Sequence, residues 1–188
     1  MDTLAFLHHL QSQPTFADQI AYVERIHPRR AEYAELDQPL APELLERLQA
    51  QGLFPLYTHQ AEAVNKIHAG QNVMVATASA SGKTLCYNIA VAEALLADGG
   101  SRAIYLFPTK ALAQDQLRAL HKLFAPDLFQ FEELDTFDGD TPKAERAEIR
   151  KRARIILSNP DMLHLGILPN HQYWSRLLRH LRYVVVDE

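Results

Sequence analysis

A chain of 188 residues, 47% hydrophobic and 22% charged, is long enough for one full domain with a substantial core and has the balance of a soluble globular protein. Its formal net charge of −4 excludes a generally polycationic nucleic-acid binder but leaves room for a local positive track. Cys86 is the single cysteine, so no internal disulfide can form.

No stretch approaches the roughly 18 to 20 unbroken apolar residues of a membrane span, so no membrane partner is expected. The start, MDTLAFLHHL, has neither a basic n-region nor a small-residue cleavage site, and with the lone cysteine this points to a reducing, cytoplasmic setting. The nine histidines are scattered, with no Cys/His cluster at zinc spacing.

Residues 1–50 contain a short helical stretch from Thr3 to Gln11, a mixed run from Ile20 to Ile26 and a helix-like segment opening at Pro42. Pro14, Pro28, Pro39 and Pro42 interrupt them and no single period persists, so this part is expected to be an accessory segment. Residues 51–188 alternate helices with short apolar runs. Helical patterns cover Thr58–His68, Lys83–Ala97, Lys110–Phe124, Pro142–Arg152 and His171–Arg179. Strands are expected at Val73–Ala76, Ala103–Phe107, Ile155–Ser158 and Tyr183–Val186, with a further candidate within Phe129–Phe137. These runs do not alternate in polarity, as expected for strands buried on both faces, and the order predicts a doubly wound, mainly parallel α/β sheet.

The apolar run Val73–Ala76 leads into Thr77, Ala78, Ser79, Ala80, Ser81, Gly82, Lys83 and Thr84, and then into a helix. Strand, small-residue loop, Gly-Lys-Thr and helix is the setting of a phosphate-binding loop. Small side chains let backbone N–H groups wrap phosphates, and the helix directs its positive end at them. Lys83 would neutralise the β- and γ-phosphates, and Thr84 would offer its hydroxyl to Mg²⁺. The pattern departs from the general one in having Thr77 where a first glycine is usual.

Upstream, Tyr57 and Gln60 open the preceding helix. The planar amide of Gln60 can pair with the N6/N7 edge of adenine, and Tyr57 can stack on the base or pack against the loop. Downstream, Pro108, Thr109 and Lys110 join a strand to a helix, as do Asn159, Pro160 and Asp161. Both can hold a nucleic-acid phosphate, and both can simply cap a helix. Val184–Val186 ends in Asp187 and Glu188, which suits a Walker B strand: Asp187 holding Mg²⁺, Glu188 polarising the attacking water. All these groups fall at carboxyl ends of strands, where ligands bind on open parallel sheets. Between Lys143 and Arg154 stand Lys143, Arg146, Arg150, Lys151, Arg152 and Arg154 against Glu145 and Glu148, a helix that can line a DNA track or present a solvated face of charge pairs.

The ordered set Gln60, ATASASGKT, FPTKALAQDQ, DGDTP, SNPDMLH and VVVDE resembles the first RecA-like domain of superfamily 2 DEAD/DEAH-type helicases. The segments IHPRRAEYAELDQPL, LYTHQAEAV, YLFPTKALAQDQL and LPNHQYWSRLLRHLRYVVVDE narrow the resemblance to the Hrq/MrfA group of DNA-repair helicases, which carry a zinc-binding C-terminal domain. The resemblance implies a RecA-like P-loop NTPase fold, ATP with Mg²⁺ as cofactors, and single-stranded or forked DNA as partner, with 3′-to-5′ movement. It makes Lys83, Asp187 and Glu188 catalytic. It sets Pro108, Thr109, Lys110, Gly139, Asn159, Pro160 and Asp161 in strand-contacting motifs. Ala78 and Ser79 stand where the family loop has proline and threonine. The family pattern continues past Glu188 into motif III and a second RecA-like domain with an arginine finger, so the first domain is expected to be incomplete here. The rival expectations are an RNA motor of DEAD-box type and a nucleotide-binding interaction module that does not hydrolyse ATP.

Overall fold

The computed structural model describes residues 2–16, 19–24, 30–78 and 80–187. By internal contacts the chain divides between Ala31 and Glu32 into two units. In the first, α1 (Thr3–Ser12) is capped by Asp2, whose carboxylate accepts from the N–H groups of Leu4 and Ala5 at 3.0 and 3.2 Å. None of its residues is buried. The mixed run ending at Ile26 lies partly outside the described residues, and its described part, Ile20–Glu24, forms no helix or strand.

The second unit runs α2 (Pro42–Ala50), α3 (Thr58–His68), α4 (Lys83–Ala97), β1 (Arg102–Leu106), α5 (Lys110–Phe124), β2 (Leu134–Thr136), α6 (Arg146–Arg152), β3 (Ile155–Ser158), α7 (Pro160–Met162), α8 (Ser175–Arg179) and β4 (Leu181–Val186). Two 3₁₀ turns, Phe131–Glu133 and His171–Trp174, and a π turn, Leu163–Ile167, fill the connections. The four strands are parallel in the order β2-β3-β1-β4, with Leu106 opposite both Ser158 and Val186.

Strand residues alternate between faces. Ala103 and Tyr105, with Ile155 and Leu157, meet Leu44 and Leu48 of α2, Val64 of α3, Ile89 and Leu95 of α4, and Leu120 and Phe124 of α5. Ile104, Leu106 and Ile156 meet Phe137, Ile149, Ile167, Trp174 and Leu177 on the other face. Helices therefore cover both faces of a parallel sheet, as the alternating pattern requires.

Four expectations are corrected. Val73–Ala76 is not a strand: it pairs with no other segment among the described residues, and Met74 is 91% exposed. An apolar run supplies only propensity, and without a ladder partner for its N–H and C=O groups it stays irregular. β4 is not buried on both faces, for it pairs only with β1 among the described residues and leaves Val184 and Val186 exposed. The helix expected from Pro142 begins at Arg146, because Arg146 turns its guanidinium back onto the carbonyls of Thr141, Asp138 and Gly139. His171–Arg179 likewise opens as a 3₁₀ turn before α8.

Cys86 is buried in α4, and burial pushes its thiol from 9.0 up to about 11. The folded state keeps a proton that the unfolded chain releases, so this contribution is fully present below the unfolded value and is lost as pH rises through about 11. Between about pH 8 and pH 11 the urea midpoint should therefore fall further in the parent than in Cys86→Ala. Equal declines would refute this. Among the described residues no helix is long and apolar enough to cross a membrane.

Candidate nucleotide and nucleic-acid site

Every motif residue of the sheet lies just past a strand's carboxyl end: Pro108–Lys110 after β1, Gly139 after β2, Asn159–Asp161 after β3 and Asp187 after β4. Parallel pairing aligns those ends on one edge, which is how segments distant in sequence come together. The phosphate loop enters this edge through α4 and not through a strand of its own.

The loop is held in an open turn by backbone geometry. Ala80 and Gly82 have φ of 59° and 81°, in the left-handed region. The dihedral requires glycine at position 82, and a Cβ there would sit 2.6 Å from Gln60 Nε2 and displace that amide. Thr77 Oγ1 and Ser81 Oγ are 2.6 Å apart, a bond that closes the loop where a first glycine is absent. Lys83 Nζ donates to the carbonyls of Thr77 and Ala78 at 3.0 and 3.4 Å, placing the ammonium across the loop's mouth. Gly82 caps α4 without a side chain, leaving the first-turn N–H groups to an incoming anion. Ser79 lies outside the described residues.

Gln60 is 3% exposed, with Oε1 accepting from Tyr57 N–H at 3.0 Å and Nε2 donating to the Gly82 carbonyl at 3.1 Å. The amide thus ties α3 to the phosphate loop. Tyr57 is 41% exposed and stacks on both Tyr33, at 5.4 Å and 11°, and His59, at 6.0 Å and 10°. His59 Nε2 lies 3.0 Å from the Ser81 carbonyl. Tyr33 and His59 were not singled out by motif. Only the antiparallel bridge Tyr33–Tyr57 brings the first of them here.

Asp187 is fixed by its backbone N–H, which donates to Leu106 O at 3.0 Å, and by Tyr87, whose hydroxyl donates to Asp187 Oδ2 at 3.0 Å. Burial pushes the Tyr87 hydroxyl well up, a hydrogen bond with the Thr84 side chain opposes this, and the Asp187 charge adds to it. The Tyr87 hydroxyl therefore holds one of the two candidate metal-binding side chains, and the presence of Thr84 and Asp187 fits Mg²⁺ carried by a nucleotide. No sequence motif announces Tyr87, which lies 100 positions from its partner. Tyr87→Phe should raise the Mg²⁺ concentration for half-maximal nucleotide binding by about fivefold, the worth of about 1 kcal/mol. An unchanged Mg²⁺ titration would remove this role. Glu188 lies outside the described residues.

The strand-contacting candidates are capped and cross-linked. Thr109 Oγ1 accepts from Leu112 N–H at 3.2 Å and Asn159 Oδ1 from Met162 N–H at 2.7 Å, so both are helix caps. Pro160 follows as the first residue of α7 and Asp161 is exposed in its first turn. Lys110 Nζ pairs with Asp140 Oδ2 at 2.7 Å, close over Gly139, joining the loops after β1 and β2 across β3. That ion pair holds the Lys110 ammonium above its ordinary range. Asp138 turns the loop by accepting from Asp140 and Thr141 N–H at 2.8 and 3.2 Å. On α6, Arg146 braces this same loop, Arg150 lies over Tyr173 and Trp174, and Arg152 pairs with Glu148 at 3.2 Å. Arg146, Arg150 and Arg152 are thus engaged within the fold, while Lys143 and Lys151 are exposed.

The sequence of residues 57–188 matches the model of the DEAD/DEAH box helicase family. The chain belongs to that family. It is 46% identical over 184 residues to the ATP-dependent helicase HRQ1 of Saccharomyces cerevisiae, covering 97% of this chain and 17% of the relative. It is 42% identical over 166 residues to the uncharacterized ATP-dependent helicase YprA of Bacillus subtilis, covering 87% and 22%. Its fold matches the crystal structure of the DUF1998 helicase MrfA bound to DNA and AMPPNP, with a TM-score of 0.81 and 41% identity over 87% of this chain and 23% of that one. The chain therefore spans about a fifth of the length of these relatives. The resemblance to the Hrq/MrfA group and the RecA-like fold are both borne out.

Proposed function

We propose that this chain is the ATP-binding part of an ATP-dependent DNA helicase or translocase, which couples ATP hydrolysis to movement along a DNA strand. The observation that carries the proposal is the convergence, at one sheet edge, of the glycine-hinged loop, the Lys83 ammonium and the Asp187 carboxylate held by Tyr87. Triphosphate oxygens would replace the Thr77 and Ala78 carbonyls on Lys83. Thr84 and Asp187 would hold Mg²⁺, which when bound neutralises charge on the phosphates. Glu188 would orient the attacking water, and Gln60, which retains one N–H and one lone pair, would read adenine.

Pro108, Thr109, Lys110, Gly139, Asn159, Pro160 and Asp161 would carry the strand's phosphates at the neighbouring loops, with Arg146 and Arg150 behind them. The reading includes a second RecA-like domain in the whole protein, 3′-to-5′ movement, a role in DNA repair and a cytoplasmic setting. The test is ATP turnover by the whole protein without nucleic acid, with single-stranded DNA and with RNA, each beside Lys83→Ala. Stimulation by DNA alone, lost in Lys83→Ala, is expected. Stimulation by RNA would make it an RNA motor, and no turnover would make it a nucleotide-binding module.

A further inference from the structure

The amino ends of β1, β2 and β3, at the far side of the sheet from the site above, begin around a second concave region of a different character. Arg102 opens β1, Glu133 immediately precedes β2 and Arg154 immediately precedes β3. With Lys151, Arg152 and Arg176 they line a cavity of about 410 Å³. Five cationic side chains face it against two carboxylates, Glu132 and Glu133.

Arg102 is the least expected of these groups, since it is 3% exposed. Its Nη1 donates to the carbonyls of Gly99, Gly100 and Ser101 at 3.1, 2.9 and 2.9 Å. Among the described residues its Nε and Nη2 have no hydrogen-bond partner and it forms no ion pair. Burial lowers its affinity for the proton, and the nearby charges of Arg176 and Arg154 lower it further. A guanidinium does not deprotonate in a protein, and the charges of Glu133 and Asp98 offset only part of the cost of burying this one.

The carboxylates nearby are committed elsewhere. Glu133 Oε2 accepts from Gln130 N–H at 2.8 Å, while Oε1 is 3.5 Å from Arg154 Nη1. Asp98 accepts from Gly100 N–H and Ser101 Oγ at 2.8 and 3.0 Å. Arg154, whose side chain is 11% exposed, donates through Nη2 to the carbonyls of Leu95 and Asp98, and its Nε is buried without a partner. Arg176 Nη1 donates to the Lys151 carbonyl at 3.0 Å, which pins it at the cavity's rim.

Backbone carbonyls orient a buried guanidinium but supply only partial charge. Arg152 and Arg154 have Glu148 and Glu133, whereas Arg102, Lys151 and Arg176 have no ion-pair partner among the described residues, and three such cations around one cavity are costly without an anion. The geometry points to a phosphate-binding pocket at the amino ends of β1–β3, in which Arg102 and Arg176 donate to the phosphate and Lys151 closes the rim. Phosphate suits it because its oxygens accept from several forked donors at once and its charge exceeds that of one carboxylate. The cavity has room for a pyrophosphate or a nucleotide backbone segment as well as a single phosphate.

The test is calorimetric titration of the chain with pyrophosphate in the Lys83→Ala background, which disables the phosphate loop and keeps this pocket independent of the ATP site. Saturable binding that survives Lys83→Ala and weakens at least tenfold in Arg176→Gln and in Lys151→Gln is expected. Both latter positions are exposed, so these variants test the pocket even if Arg102→Met, which releases the Gly99–Ser101 turn, unfolds the chain. Competition by an octathymidylate would assign the phosphate to a nucleic-acid backbone, and lack of competition to free phosphate; either result keeps the pocket. Binding lost in Lys83→Ala alone, or unaltered by Arg176→Gln and Lys151→Gln, overturns it.

Discussion

Lys83→Ala is expected to weaken binding of a fluorescent ATP analogue by about 30- to 150-fold, measured by titration, with no comparable change in melting temperature. The estimate follows from losing a charge-assisted hydrogen bond worth about 2 to 3 kcal/mol. Fold should persist because, among the described residues, Lys83 Nζ bonds only the Thr77 and Ala78 carbonyls, which water can satisfy in its place. A matching loss of affinity in Lys83→Arg would show that geometry, and not charge alone, sets the site. Undiminished affinity in Lys83→Ala would remove the phosphate loop from the mechanism.

Trp174→Ala is expected to cost about 3 to 5 kcal/mol of unfolding free energy, read from urea denaturation. Trp174 is 2% exposed and meets Phe137 edge-to-face with ring centroids 4.5 Å apart. Arg150 lies over its ring and Ile149, Ile167 and Leu177 fill the same core, so little can collapse into the space left. Because Phe137 directly precedes the Asp138–Thr141 loop, the loss should reach Lys110 and Gly139 as well. A destabilisation below about 1 kcal/mol would mean that this face of the sheet is loosely packed.

Helices α3, α4 and α5 were legible to the residue, because their apolar spacing is regular and Gly82 and Thr109 mark two of their starts. β3 was equally plain as an apolar run between helices. What misled was the strand before the phosphate loop: Val73–Ala76 has the composition of a strand, and composition cannot reveal whether a partner lies beside it. For the site, Lys83, Thr84 and Asp187 were readable as local motifs. Tyr87, Tyr33, Asp140 and Arg102 were not, since their contacts depend on how distant segments are folded together or on a burial that a charged residue does not advertise. Thr109 and Asn159 carried two readings in the sequence, and the cap is the one their bonds display.

The sheet's lopsidedness sets an order in which its parts loosen. β1 and β3 are each flanked on two sides and buried throughout, whereas β4, among the described residues, pairs with β1 alone and keeps one face open to water. Segments with fewer ladder partners open at lower free energy than the core around them. In amide hydrogen exchange, β4 should therefore exchange ahead of β1 and β3. Asp187, at its end, is held by one backbone bond to Leu106 and one hydroxyl from Tyr87, so this carboxylate is mounted on a yielding edge strand.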